Sequence, residues 1–233
     1  MDDTVAALAD ENACRRHPGA HCPHRRRLVF YPPRGSRGQP AGKIRSFIAI
    51  ELPHNVKDGL AQLRNELERA EHPFVKWVNP ESIHLTLKFL GNVPFKQVAE
   101  ITKAIEEATK GISAFHLEIS GLGGFPNLKQ PRVLWVGIKG EIDKLVSLQQ
   151  NIDLALTPLD FAKEERPFMP HLTLARIRQG ASPKGKKSFG ELVISTSFEI
   201  SYPFDVKAVS LMRSQLTPAG AIYTRLFMTK LET

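Results

Sequence analysis

One tetrapeptide occurs twice in this chain, as His84-Leu85-Thr86-Leu87 and His171-Leu172-Thr173-Leu174, and these are the residues best suited to chemistry. Each copy follows a proline-containing turn and lies in a stretch where polar and apolar residues alternate. In a strand, side chains two apart share a face. His84 and Thr86 therefore stand side by side, with Leu85 and Leu87 turned to the core, and His171 and Thr173 repeat the device over Leu172 and Leu174. A single His-x-Thr is an ordinary surface feature. Two copies imply related lobes that present matched pairs to a shared cleft. Imidazole titrates near neutral pH, so facing histidines suit a reaction in which one proton is removed and another delivered. The threonine hydroxyls can donate to non-bridging phosphoryl oxygens and stabilise the charge of a pentacoordinate transition state.

Other chemistries lack their residues. There is no HExxH and no carboxylate cluster beside the histidines, so the set requires no metal. There is no GxSxG elbow, and both cysteines, Cys14 and Cys22, lie in the first 43 residues. The run Gly121-Leu122-Gly123-Gly124 lacks the remaining positions of a dinucleotide or P-loop motif, which excludes nucleotide-cofactor enzymes. No cofactor is expected.

The elements that must position the pairs can be read from periodicity. Phe47 to Ile50 is a continuous apolar run fit for a strand buried on both faces. Val56, Leu60, Leu63, Leu67 and Ala70 mark one stripe of a helix, and Val98, Ile101, Ile105 and Ala108 mark a second that closes at Gly111. A third runs from about Glu141 to Leu156. Strands are expected at 83–90, 115–119, 133–138 and 206–212. Helices packed on mainly antiparallel sheets, an α+β fold, follow from this order. Residues 180–187, with Lys184, Lys186 and Lys187, read as a basic loop. Trp77, Phe89, Phe125 and Trp135 read as core.

The chain has 233 residues, 42% hydrophobic and 24% charged, enough for a real core and unlike a disordered or fibrous composition. Net charge is +8, but residues 1–43 hold eight Lys or Arg against four Asp or Glu, so half the excess lies there. The mild remainder names no nucleic-acid surface by itself. Residues 1–43 are rich in Pro, Gly and Arg and are expected to be a flexible basic leader, with the folded domain at 44–233. Cys14, His17, His21, Cys22 and His24 offer zinc-type donors, but at poor spacing and with no apolar residues to fold around a metal. No apolar run approaches a membrane span and no signal segment opens the chain, so a cytoplasmic protein is expected.

The paired motifs resemble those of the two-histidine (2H) phosphoesterase superfamily, and of its RNA 2',3'-cyclic phosphodiesterase branch, the LigT-like or ThpR family. Agreement extends to Arg45-Ser46-Phe47-Ile48-Ala49-Ile50, His84 to Gly91, Pro131 to Trp135, His171 to Arg176, and Leu211-Met212-Arg213-Ser214 with Gly220 and Tyr223. The resemblance covers about residues 44–233. It implies a bilobal fold, with two antiparallel sheets meeting at a pseudo-twofold cleft, and a metal-independent opening of 2',3'-cyclic phosphate ends of RNA to 2'-phosphates. His84 would be the acid and His171 the base, or the reverse. Thr86, Thr173 and Arg176 would hold the phosphate. Strict alternation from His171 puts Arg176 on the wrong face, so a bulge or strand end must re-aim it. The expected partners are RNA ends bearing the cyclic phosphate, tRNA fragments among them, met by a monomer. Two other readings stand beside this one: a 2',5'-RNA ligase or phosphodiesterase acting through the same site, and a non-catalytic RNA-end binding module.

Overall fold

A computed structural model of the chain describes residues 42–196, 202–218 and 220–232. The leader reading and the zinc donors at 14–24 fall outside them. Among the described residues the first strand opens at Lys43, beside the expected start at Ile44. Nine strands follow: β1 Lys43–Glu51, β2 Val75–Trp77, β3 His84–Pro94, β4 Phe115–Phe125, β5 Val133–Gly140, β6 His171–Ile177, β7 Tyr202–Val206, β8 Ala208–Thr217 and β9 Gly220–Lys230. Four α-helices accompany them among the described residues: α1 His54–Glu68, α2 Val98–Thr109, α3 Ile142–Leu156 and α4 Pro183–Ser195. No helix among the described residues is long and apolar enough to cross a membrane.

The strands form two sheets, ordered β3-β1-β8-β9 and β2-β6-β5-β4-β7, in which every pairing between strands is antiparallel. Leaving out β2, the second sheet repeats the first. A motif strand (β3 or β6) pairs with an apolar strand (β1 or β5), and two further strands follow. The sheets touch where β3 approaches β6, so the two copies of HLTL lie on adjoining strands.

The apolar periodicities explain the core. Val56, Leu60, Leu63 and Leu67 of α1, Ile101 and Ile105 of α2, and Leu145, Leu148, Ile152 and Leu156 of α3 are all buried. They pack in one cluster with Leu85, Leu87, Leu172 and Leu174 from the motif strands. Each such leucine contributes about 1.5–3 kcal/mol through the apolar surface it removes from water. On the opposite face of the first sheet a separate small cluster holds Phe47, Ala49 and Met212, with Tyr223 against it. The run at 47–50 is thus buried on both faces, as expected of it.

Two expectations are corrected. The strand expected at 206–212 is broken at Lys207, Val206 ending β7 and Ala208 opening β8. The loop expected at 180–187 becomes α4 from Pro183. Ser182 caps it, its hydroxyl accepting from the Gly185 N–H, and Pro183 occupies the first turn, where its missing N–H costs nothing. Phe189 and Val193, four apart, seat the helix in the core. Two glycines and a lysine-rich first turn conceal it in the sequence. Gly190 has a packing cause, since a Cβ there would stand 1.7 Å from the Leu128 carbonyl oxygen.

Candidate active site

The two motif strands carry the same irregularity at the same place. Across β1 and β3, Ala49 opposes Thr86 and Ile48 opposes Lys88, so Leu87 has no partner. Across β5 and β6, Trp135 opposes Thr173 and Leu134 opposes Ala175, so Leu174 has none. Each is a bulge that shifts the alternation by one residue. On β6 it moves Arg176 onto the face of His171 and Thr173, since Val133, Trp135 and Gly137 oppose Arg176, Thr173 and His171 on alternate positions of one strand. The re-aiming that alternation called for is present. On β3 the same shift overturns the expectation for Phe89. It is 70% exposed, not core, and it shares the His84 face, its ring centroid 6.2 Å from that of Phe47.

Both imidazoles are held alike. His84 Nδ1 lies 2.8 Å from the Ser82 carbonyl oxygen, and His171 Nδ1 lies 2.7 Å from the Met169 carbonyl oxygen. In each case Nδ1–H donates to a carbonyl two residues upstream. This orients the ring and leaves Nε2 as the nitrogen available for proton transfer. Each ring is also flanked by two aromatic side chains from its own sheet. Phe47 stacks on His84 at 4.5 Å and Tyr223 meets it edge-on at 5.0 Å. Phe125 meets His171 edge-on at 5.0 Å, and Trp135 lies 6.4 Å away. Phe125 and Trp135 thus flank His171 and lie outside the core cluster, which corrects their reading as core, whereas Trp77 does pack against the core. Gly123 makes room for the indole, because a Cβ there would lie 2.2 Å from it.

The surroundings then diverge. Opposite His84 on β1 stands Glu51, whose carboxylate receives a two-pronged contact from Arg225, at 2.7 and 2.9 Å, and the Ser210 hydroxyl at 2.6 Å. Burial pushes the Glu51 carboxyl up, but the hydrogen bonds from Arg225 and Ser210 outweigh it and hold it below its ordinary value. Opposite His171 the corresponding residue is Gly137. Burial lowers the pKa of His84, against the Ser82 carbonyl and the Glu51 charge, which both favour the protonated ring. His84, Glu51, Tyr223 and Arg225 line a cavity of about 280 Å³ that also reaches Lys57 and Glu81, themselves an ion pair at 3.0 Å.

Sequence reasoning missed Glu51, Ser210 and Arg225, which meet only through sheet register. It also missed Lys88, one residue past the first motif. Buried on β3, Lys88 pairs with Asp153 of α3 and donates to the Ala162 carbonyl at 2.8 Å. Asp153 in turn accepts from the Gln149 amide and the Glu164 N–H. This buried network ties β3 to the segment that leads to Met169 and His171.

Comparison with known proteins agrees with this architecture. A family model described as LigT like Phosphoesterase matches residues 50–135 and again 136–223, one HLTL motif in each span. An RNA 2',3'-cyclic phosphodiesterase of Methanothermobacter thermautotrophicus is 34% identical over 78% of this chain and 96% of its own length. One from Methanocaldococcus jannaschii is 32% identical over 77% and 96%. Among solved structures, TT0787 of Thermus thermophilus superposes with a TM-score of 0.65 at 26% identity, covering 81% of this chain and 98% of that one. E. coli LigT complexed with 3'-AMP shares the fold at a TM-score of 0.65 and 22% identity, covering 82% and 99%. With two motif-bearing halves, a matching family model and relatives aligned over nearly their whole length, this chain belongs to the LigT-like phosphoesterase family.

Proposed function

We propose that this protein hydrolyses RNA 2',3'-cyclic phosphate ends to 2'-phosphomonoesters, without a metal, by acid and base catalysis from His84 and His171. The observation that carries this reading is the duplicated setting of the two imidazoles: adjoining strands, matching bulges, and the same Nδ1–H donation to a carbonyl two residues upstream. The relatives named as RNA 2',3'-cyclic phosphodiesterases supply the substrate class.

In this scheme His171 Nε2 takes a proton from water as its oxygen attacks phosphorus. The P–O3' bond breaks, and His84 Nε2–H protonates the departing O3', leaving the phosphate on O2'. Thr86 and Thr173 donate to the non-bridging oxygens, and Arg176 adds a charge-assisted contact. Burial of His84 opposes the charge its acid role needs. An anionic phosphoryl group beside the ring favours that charge, so the acid is completed as substrate binds. Each imidazole is worth about 10² to 10⁴ in rate. RNA ends, tRNA fragments among them, are the partners this reading calls for, met by a monomer in the cytoplasm.

Phosphorus NMR of a 2',3'-cyclic nucleotide mixed with the protein in excess EDTA reports turnover and regiochemistry together. The 2'-monophosphate is expected. Loss of turnover in EDTA would remove the metal-free mechanism, and binding with no product after long incubation would leave an RNA-end binding module instead. His84→Ala and His171→Ala should each lower kcat by about two orders of magnitude or more with folding intact; near-native rates in either would end the assignment.

A further inference from the structure

The two ends of the site are not alike. Position for position, the bulges bring Phe89 to the His84 face and Arg176 to the His171 face. Among the described residues no strand lies beyond β3 in the first sheet, whereas β6 gains one more neighbour, the three-residue strand β2. On β2, Lys76 is the direct cross-strand partner of Arg176, so its side chain lies on the same face. Both residues are exposed, and neither has an anionic partner among the described residues. Like charges directly opposite each other in an antiparallel pair are destabilising. An unrelieved pair of cations beside the proposed catalytic strand is therefore a cost that a bound polyanion removes.

Position along the strand sets what this pair can hold. Arg176 stands four ladder steps from His171 once the bulge is discounted, ~13 Å at the usual rise, and Lys76 lies one strand further out. Lys76 is thus beyond a phosphoryl group held between the imidazoles, while Arg176 stands between the two places. We propose that Lys76 forms a second phosphate subsite, which takes the phosphodiester on the 5' side of the terminal nucleotide, with Arg176 bridging it to the reacting group. The RNA strand then leaves the site over β6 and β2, on the cationic side, and not over the apolar Phe89 end. This rests on the activity proposed above, and it makes the enzyme one for oligonucleotide ends in preference to free cyclic mononucleotides.

The test compares kcat/KM for a 2',3'-cyclic mononucleotide with that for a trinucleotide ending in the same group, in the wild type, Lys76→Met and Lys76→Arg. The ratio of oligonucleotide to mononucleotide should fall about five- to tenfold in K76M, with the salt dependence of the oligonucleotide reaction losing about one phosphate contact. K76R should restore both. A ratio within about twofold of the wild type in K76M overturns the subsite. Fluorescence anisotropy with a labelled trinucleotide ending in a 3'-phosphate separates this from failure of the catalytic reading, since it needs no turnover. A weaker Kd in K76M with no hydrolysis by the wild type keeps the subsite and removes the activity. An unchanged Kd removes the subsite whatever the turnover.

Discussion

At the scale of single residues the two histidines share an orientation and differ in their electrostatics. His84 faces the carboxylate of Glu51, which favours its protonated form, and His171 faces Gly137. Glu51→Gln removes that charge and leaves Arg225 without its anion, so the His84 pKa falls further. If His84 is the acid, it must be protonated to act, and the alkaline limb of the kcat/KM profile should move to lower pH. Movement of the acidic limb instead would exchange the two roles. Burial has a second consequence. Because the folded pKa of His84 lies below that of an unfolded histidine, the unfolded chain takes up the proton first. Stability should decline as pH falls from about 6.5 through the lowered folded value, and no further from this source below it. His84→Gln should flatten that part of a plot of urea midpoint against pH; a superimposable plot would place the loss in other groups.

At the scale of elements, the bulges and the buried ion pair do the positioning. A regular strand at 171–177 would send Arg176 away from His171. The bulge at Leu174 reverses this with one unpaired residue, and the same feature at Leu87 exposes Phe89. Lys88 and Asp153 hold β3, α3 and the segment before β6 together from a buried position, their side chains only 7% and 3% exposed. Lys88→Met strands the Asp153 charge and should cost about 3–5 kcal/mol in urea denaturation, much of it recovered when Asp153→Leu is added. Equal losses in the single and double variants would show that the pair is not coupled. On α4, Gly190→Ala should lower Tm despite the better helix propensity of alanine, about 1 kcal/mol, because the added carbon meets the Leu128 carbonyl. A rise in Tm would mean that the helix can shift without loss.

At the scale of the whole molecule the chain is interleaved. The first sheet takes β1 and β3 from the start of the folded region and β8 and β9 from its end, while the second takes mostly what lies between. Neither sheet is a continuous segment, and the leucines of both motifs share one core. The sheets should therefore melt together, with coincident near- and far-ultraviolet circular dichroism transitions and a calorimetric enthalpy equal to the van't Hoff value. Two resolved transitions would mean that the lobes are separately stable.

Periodicity located α1, α2 and α3 and the cores of five strands, because a helix stripe or a strand alternation is a local property that burial of one face imposes on neighbouring residues. The doubled HLTL marked the histidines and threonines for the same reason, each pair being two residues apart on one strand. Nothing local specified the rest. The bulges at Leu87 and Leu174 exist only as mismatches between two paired strands, so the faces of Phe89 and Arg176 depended on partners far along the chain. The Glu51–Arg225 contact joins residues 174 positions apart. The Lys76–Arg176 pair joins residues 100 positions apart. Sequence alone singled out the groups proposed to carry the chemistry; tertiary structure alone decided which way they face and which charges stand beside them, since register and pairing are set by the burial of the whole core.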